Sequence, residues 1–272
     1  MTWRRDLEAS LGEVARVEPV GGGDINEAYR VELVRGTRVF VKTHRAPPAG
    51  MYAAEAAGLA WLRPGPLRVP EVLAVGDRFL ALEWLELEPR RAELDEPLGR
   101  GLAGLHALGA DAFGLERDNF IATIPQDNTP APDIMTFWIE RRLRPLVARM
   151  GAPSLARALD ALARRPERFG PPERPARLHG DLWWGNVGAC GGAPVLIDPA
   201  VYGGHREIDL AMLMLFGGIS DRLVRAYEEV WPLAEGWRDR ISLWQLYPLA
   251  VHAVLFGGSY GAQVAQILGD LT

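Results

Sequence analysis

His179-Gly180-Asp181-Leu182-Trp183-Trp184-Gly185-Asn186, followed closely by Val195-Leu196-Ile197-Asp198-Pro199, decides how this chain is read. The first segment comes just after Gly170-Pro171-Pro172-Glu173-Arg174-Pro175, a connector that punctuates the chain, and the second is an apolar run ending in a carboxylate. Two acids and an amide are thereby brought to one place. An Asp followed five residues later by an Asn, with a second Asp closing the next strand, is the arrangement phosphoryl transfer uses. One carboxylate takes a hydroxyl proton, while the amide and the other carboxylate hold Mg²⁺.

Composition narrows the class. With 272 residues, 48% of them hydrophobic and 24% charged, the chain can bury a real core as one large domain or two lobes. It has no run of eighteen apolar residues, and Met1-Thr2-Trp3-Arg4-Arg5 lacks the apolar core of a signal peptide, so a cytoplasmic protein without a membrane partner is expected. Cys190 is the single cysteine and no intrachain disulfide is possible. A net charge of −5 argues against a nucleic-acid partner. A monomer is favoured.

Of the 30 lysines and arginines, only Lys42 is lysine. A GC-rich genome accounts for the excess of arginine but not for the one lysine that survives. A position kept as lysine in such a chain needs a compact ammonium on a flexible stem, and contact with the phosphates of a nucleotide is such a need.

Read in order, the chain begins with a short amphipathic stretch around Leu7, Leu11 and Val14. Val17 to Val41 then alternates and turns as strands around Gly21-Gly22-Gly23-Asp24-Ile25-Asn26, whose glycines let backbone N–H groups approach a polyanion. A glycine-rich hairpin with no ligand would look the same. Arg38-Val39-Phe40-Val41-Lys42 is a strand that delivers Lys42 to one face. In the helix expected over 49–63, Met51, Glu55, Leu59 and Leu62 share a stripe, which puts the Glu55 carboxylate among apolar residues. That is costly unless it is paired, and Lys42 lies just upstream. Two more strands follow, 69–75 and 79–84, before Pro89 and a helical region. The lobe boundary is placed near residue 88, giving a nucleotide-binding lobe over 1–88 with a hinge at 83–88 and a catalytic and substrate lobe over 89–272.

Beyond the boundary Leu94, Leu98, Leu102 and Leu105 form a core stripe with His106 beside it as a satisfied core or capping histidine. Residues 109–133 read as a long ordered loop, 138–150 and 155–168 as helices, and 201–207 as a turn into a helix over 208–216. Asp209, early in that helix, either favours the helix dipole or braces the catalytic loop through backbone N–H groups. Residues 221–231 and 237–268 close the chain as helices.

These residues resemble two nested families. The spacing from His179 to Asn186 resembles the H-R-D-x-x-x-x-N loop of protein kinases, with Gly in place of Arg. Leu178 to Asn186 is similar to the signature of the fructosamine/ketosamine-3-kinase family, which usually carries a small residue at the place of Trp184. Counterparts extend over nearly the whole chain: Gly21-Gly22-Gly23, Phe40-Val41-Lys42, Gly114 through Asp118-Asn119, Pro125-Gln126, Asp198-Pro199-Ala200-Val201-Tyr202, Asp209-Leu210-Ala211-Met212, Leu215-Phe216-Gly217-Gly218 and Leu255-Phe256-Gly257-Gly258. His-Gly-Asp with a downstream Asn and Asp also fits aminoglycoside phosphotransferases and choline kinases; Asp-Leu-Trp and Asp-Pro-Ala-Val-Tyr narrow the match.

The resemblance implies an α+β, two-lobed protein-kinase-like fold: a small antiparallel-sheet N-lobe with one main helix, and a larger, mostly helical C-lobe. It implies ATP-dependent phosphorylation of the 3-hydroxyl of a ketosamine, leading to deglycation, with ATP and Mg²⁺ as cofactors and a free or protein-attached ketosamine as partner. Asp181 would be the base and Asn186 and Asp198 the Mg²⁺ ligands. Lys42 with Glu55 would orient the triphosphate under Gly21, Gly22, Gly23, Asp24, Ile25 and Asn26, with Glu83, Trp84 and Leu85 at the adenine. Trp183 is either a wall of the sugar site or core packing, and Trp184 either narrows that site or packs outward. A small-molecule kinase of another hydroxylated amine, such as an aminoglycoside or choline, is the alternative. Its cationic substrates would call for an acidic pocket. A catalytically dead scaffold is disfavoured by the five intact residues Lys42, Glu55, Asp181, Asn186 and Asp198.

Overall fold

The computed structural model describes residues 2–21, 26–89 and 91–272. Gly22, Gly23, Asp24 and Ile25 of the glycine-rich turn lie outside the described residues. After helix α1 (Thr2–Leu11) come strands β1 (Val14–Val20), β2 (Glu27–Leu33) and β3 (Arg38–Thr43), helix α2 (Met51–Leu62), and strands β4 (Val72–Gly76) and β5 (Phe79–Glu83). The five strands form one antiparallel sheet in the order β1-β2-β3-β5-β4. Because side chains alternate along a strand, β3 sends Val39 and Val41 to the α1 face and Phe40 and Lys42 to the α2 face.

Helices dominate the rest: α3 (Asp95–Ala107), α4 (Ile134–Thr136), α5 (Arg144–Met150), α6 (Pro153–Leu162), α7 (Glu207–Leu215), α8 (Asp221–Glu228), α9 (Ile241–Phe256) and α10 (Tyr260–Leu271). Short antiparallel pairs sit among them: β6 (Asn119–Ile121) with β7 (Ile124–Gln126), β8 (Ala176–Leu178) with β11 (Tyr202–Gly204), and β9 (Val187–Cys190) with β10 (Ala193–Leu196). No helix among the described residues is long and apolar enough to cross a membrane.

One hydrophobic cluster packs α1 on the sheet, through Trp3, Leu7, Val31 and Val41. Another fills the space between α5, α6, α9 and α10. The cluster between them does not respect the boundary near residue 88. It joins Leu59 and Leu62 of α2 and Leu82 of β5 to Leu102 of α3, Leu196, Leu213 of α7 and Tyr227 of α8.

Three segments differ from the sequence reading. Residues 109–133 carry the β6–β7 hairpin, held by buried Arg142, which donates from Nη1 to the Asp127 carbonyl at 2.7 Å and from Nη2 to Asn128 Oδ1. Arg142 lies in Phe137–Leu143, which winds as a widened π-type turn, a geometry without a distinctive residue pattern. The expected turn at 201–207 contains β11, whose partner β8 is distant in sequence and whose Gly203-Gly204 disfavours strand on propensity alone. The helix expected over 155–168 ends at Leu162, before a separate 3₁₀ turn at Pro166–Phe169.

Candidate active site

The β9–β10 hairpin assembles the site. Gly191 and Gly192 have φ of 59° and 75°, the paired positive values that a two-residue hairpin requires. The tight turn lays β10 beside β9, so that Ile197 N donates to the Asn186 carbonyl at 3.0 Å and Asp198 emerges next to the loop that carries Asp181. Asp198 itself has φ of 56°, uncommon for a residue with a Cβ, and both it and Asp181 line one cavity of about 440 Å³.

The loop is braced from below. Fully buried Asp209, at the start of α7, accepts from His179 N at 2.8 Å and from Gly180 N at 2.9 Å. Its Oδ2 also lies 3.2 Å from His106 Nε2, while His106 Nδ1 lies 2.8 Å from the Tyr227 hydroxyl. Burial raises the Asp209 pKa, but hydrogen bonding and charge from His106, with the loop N–H, hold it below the usual carboxylate range. Gly180 has φ of 82°, and a Cβ there would come within 2.1 Å of the Ala200 carbonyl oxygen. His179 spans the floor, with Nε2 2.9 Å from the Ile197 carbonyl and Nδ1 accepting from Asp181 N at 3.3 Å. Burial depresses its pKa, which suits a neutral ring with one donor and one acceptor nitrogen.

At the cavity floor Asn186 Nδ2 donates to the Asp181 carbonyl at 2.8 Å and lies 3.3 Å from Asp181 Oδ2. Burial, and then the charge of Asp198, push the Asp181 carboxyl up to about 7, which suits a group that must accept a proton near neutrality. Lys42 Nζ donates to Glu55 Oε1 at 2.9 Å and Oε2 at 3.1 Å, and to Asp198 Oδ1 at 2.9 Å. Burial works against its charge, but the two carboxylates outweigh that and raise its pKa. Glu55 is raised by burial, against the pull of Lys42.

The structure therefore brings together Lys42, Glu55, Asp181, Asn186 and Asp198 along one wall of the cavity, with Asn26 nearby. Asn26 Oδ1 accepts from the Tyr52 hydroxyl at 3.2 Å, and Gly21 has open space around it. Glu83, Trp84 and Leu85 do not line the cavity. The Glu83 carboxylate turns instead to Arg68 Nη2 at 2.8 Å and Glu71 N at 3.0 Å, and Trp84 Nε1 donates to Glu86 at 2.9 Å. Trp183 lines the cavity, 42% exposed. Trp184 does not: its Nε1 donates to the Gly218 carbonyl at 2.8 Å and its ring packs beside Gly217, because the turn at 184–186 sends adjacent side chains to opposite sides. It therefore does not reach this cavity.

A metal would find oxygen donors here. Asp198 offers a carboxylate and Asn186 an amide oxygen, a hard two-ligand set that suits Mg²⁺, which keeps waters and phosphate oxygens as its other ligands. Among the described residues no group of three or more His, Cys, Asp or Glu could hold an ion by itself.

Apart from Trp183, the opposite wall was not identified from the sequence. It consists of Trp183, Met212, Phe216, Val251, His252 and Phe256, with the tip of the β6–β7 hairpin alongside. The available signal was a repeat: Leu215-Phe216-Gly217-Gly218 and Leu255-Phe256-Gly257-Gly258 stand at the C-terminal ends of α7 and α9. Phe216 caps α7 two residues before Gly218 (φ 73°), whereas Phe256 is the last residue of α9, directly before Gly257 (φ 69°); both Phe line the cavity.

The family model described as fructosamine kinase matches residues 3–272. The protein named "Probable ketoamine kinase" from Enterococcus faecium is 36% identical over 278 residues, covering 97% of this chain and 99% of that protein. The crystal structure of a candidate fructosamine-3-kinase from Thermobifida fusca is 42% identical, with a TM-score of 0.90 over 98% of this chain and 97% of that one. An aminoglycoside phosphotransferase solved with ADP and hygromycin B shares the fold alone, at 18% identity and a TM-score of 0.67. The chain belongs to the fructosamine kinase family and has the protein-kinase-like fold.

Proposed function

We propose that this member of the fructosamine kinase family transfers the γ-phosphoryl group of ATP to the 3-hydroxyl of a ketosamine. The observation that carries the reading is the placement of Asp181, with a pKa of about 7, in the same cavity as Lys42 and Asp198. Asp181 accepts the hydroxyl proton as the new O–P bond forms and the bond to the bridging oxygen of ADP breaks. Lys42, oriented by Glu55, holds the α- and β-phosphates. Mg²⁺ held by Asn186 and Asp198 would neutralise phosphate charge. Asp209 and His179 keep the loop in place, so catalysis rests on positioning and charge rather than on a covalent intermediate. The resulting 3-phosphate is unstable, so the amine is released and the glycation undone.

We place the hinge at 83–88, where backbone groups rather than the Glu83 and Trp84 side chains would meet adenine, and the glycine-rich turn over the triphosphate. A cytoplasmic monomer accords with the sequence. Among the described residues the carboxylates lining the cavity are Glu55, Asp181 and Asp198, each with a part in phosphate binding or in taking the hydroxyl proton. The acceptor wall adds none, which disfavours a polycationic aminoglycoside.

The test is a phosphorylation assay with ribulosamine, fructosamine and an aminoglycoside side by side, with the position of phosphate determined on the product. Ketosamine 3-phosphate is expected. Turnover of the aminoglycoside alone would overturn the assignment.

A further inference from the structure

The acceptor wall is a row of rings. Trp183 meets Phe216 edge-on with centroids 6.4 Å apart, Phe216 lies 5.2 Å from His252, and His252 lies 5.6 Å from Phe256 and 5.0 Å from Tyr260. Trp183, Phe216 and Phe256 are 42%, 40% and 56% exposed, and among the described residues they are the most exposed Phe and Trp side chains. Exposed aromatic surface gathered at one cavity marks a binding surface rather than a random scatter. The row takes three ring-to-ring steps, longer than the single face that a sugar presents.

Charge is distributed just as unevenly. Among the described residues Lys42 is the sole lysine or arginine lining the cavity, and it already bridges Glu55 and Asp198. His252 is the one polar side chain of the ring row apart from the Tyr260 hydroxyl, the Trp183 indole N–H aside, and its Nδ1 lies 2.8 Å from the Pro248 carbonyl. A carboxylate brought to this wall would lose water without meeting a lysine or arginine.

We propose that the far part of this wall, formed by Phe216, His252 and Phe256, is a subsite for the substituent on the ketosamine nitrogen, and that it favours apolar or aromatic substituents over those carrying a carboxylate next to the nitrogen. The proposal rests on the ketosamine reading above. It assigns the two Leu-Phe-Gly-Gly helix ends a role in substrate choice. The preferred substrates are then adducts of apolar amines, or of lysine side chains, whose nitrogen is separated from charge by a methylene chain. Adducts on the α-nitrogen of free amino acids are disfavoured.

The experiment compares kcat/KM for ketosamines made from 2-phenylethylamine, methylamine and glycine, each prepared in both the fructosamine and the ribulosamine series, with the full chain, ATP and Mg²⁺. The phenylethyl adduct is expected to exceed the methyl adduct by on the order of tenfold, the scale on which a hydrophobic pocket discriminates. The glycine adduct is expected to fall below both. In Phe256→Ala the phenylethyl-to-methyl ratio should shrink to about twofold, and in Phe256→Tyr it should persist; because each ratio is taken within one variant, loss of folded protein cancels. Equal values for the three adducts in the unaltered protein, a preference for glycine, or a ratio untouched by Phe256→Ala would overturn the subsite and leave the ketosamine reading standing. If none of the adducts in either series is phosphorylated, it is that reading that falls, and the subsite with it.

Discussion

Lys42 Nζ, on a strand of the sheet, lies 2.9 Å from Asp198 Oδ1, 156 residues farther along the chain. The same ammonium holds Glu55 at 2.9 Å, so one buried lysine fixes α2 and the site carboxylate together. Lys42→Arg keeps the charge but replaces a compact group with a planar fork in a space closed to water. It should lose at least about 100-fold in kcat/KM, a cost of about 2.7 kcal/mol. Near-normal turnover of Lys42→Arg would show that the position needs charge alone.

Asp181→Asn should abolish turnover while leaving nucleotide binding largely intact, because the base is removed and Lys42 is not. Titration with ATP and Mg²⁺, followed by fluorescence or calorimetry, checks the second half. A variant that kept wild-type rates would show the base to be another group.

The same substitution should change stability in a pH-dependent way. The folded-state pKa of Asp181 is raised to about 7, so the folded protein holds this proton more tightly than the unfolded chain does. Stability is therefore lost as pH rises from the ordinary carboxylate range through about 7. Asparagine carries no such penalty. Asp181→Asn should melt a few degrees above the unaltered protein at pH 8 and at nearly the same temperature at pH 4.5, as measured by calorimetric Tm. An equal offset at both pH values would mean that the carboxyl titrates normally.

For activity the direction is opposite. A base must be unprotonated to accept the hydroxyl proton, so kcat/KM should fall as pH is lowered below about 7, approaching tenfold per pH unit. A profile flat down to pH 5 would be incompatible with Asp181 in this role.

Asp209→Asn leaves one of two loop N–H groups facing an amide N–H, in a place closed to water. Unsatisfied buried donors cost about 1–3 kcal/mol each. A Tm lower by roughly 5–10 °C is expected, with kcat reduced more than KM because Asp209 touches the loop and not the substrate. A change confined to KM would place Asp209 in substrate binding instead.

Much of this site could be read from local pattern. Lys42 was conspicuous as the lone lysine, and Glu55 because a carboxylate on an apolar stripe demands a partner. Asp181, Asn186 and Asp198 follow from spacing, since a short hairpin between two strands leaves few ways to arrange them. What was not legible depends on distant pairing or on side-chain direction. Asp209 had two readings until the loop N–H groups were seen to converge on it. Trp183 and Trp184 are identical in type and adjacent, and only the turn at 184–186 sends one to the cavity and the other to Gly218. α9 is apolar nearly throughout, so nothing in its periodicity separates the turns that fill the core from the last turn, where His252 and Phe256 border the cavity.

The hydrophobic cluster that joins α2 and β5 to α3, α7 and α8 has a consequence for how the molecule opens and melts. Shared packing of this kind couples the two halves mechanically, so the sheet cannot swing away from the helices as a rigid door without tearing the cluster. β1 and β2 contribute nothing to that cluster and pack instead on α1. The same coupling makes the chain one cooperative unit, and heat should unfold it in a single step rather than lobe by lobe.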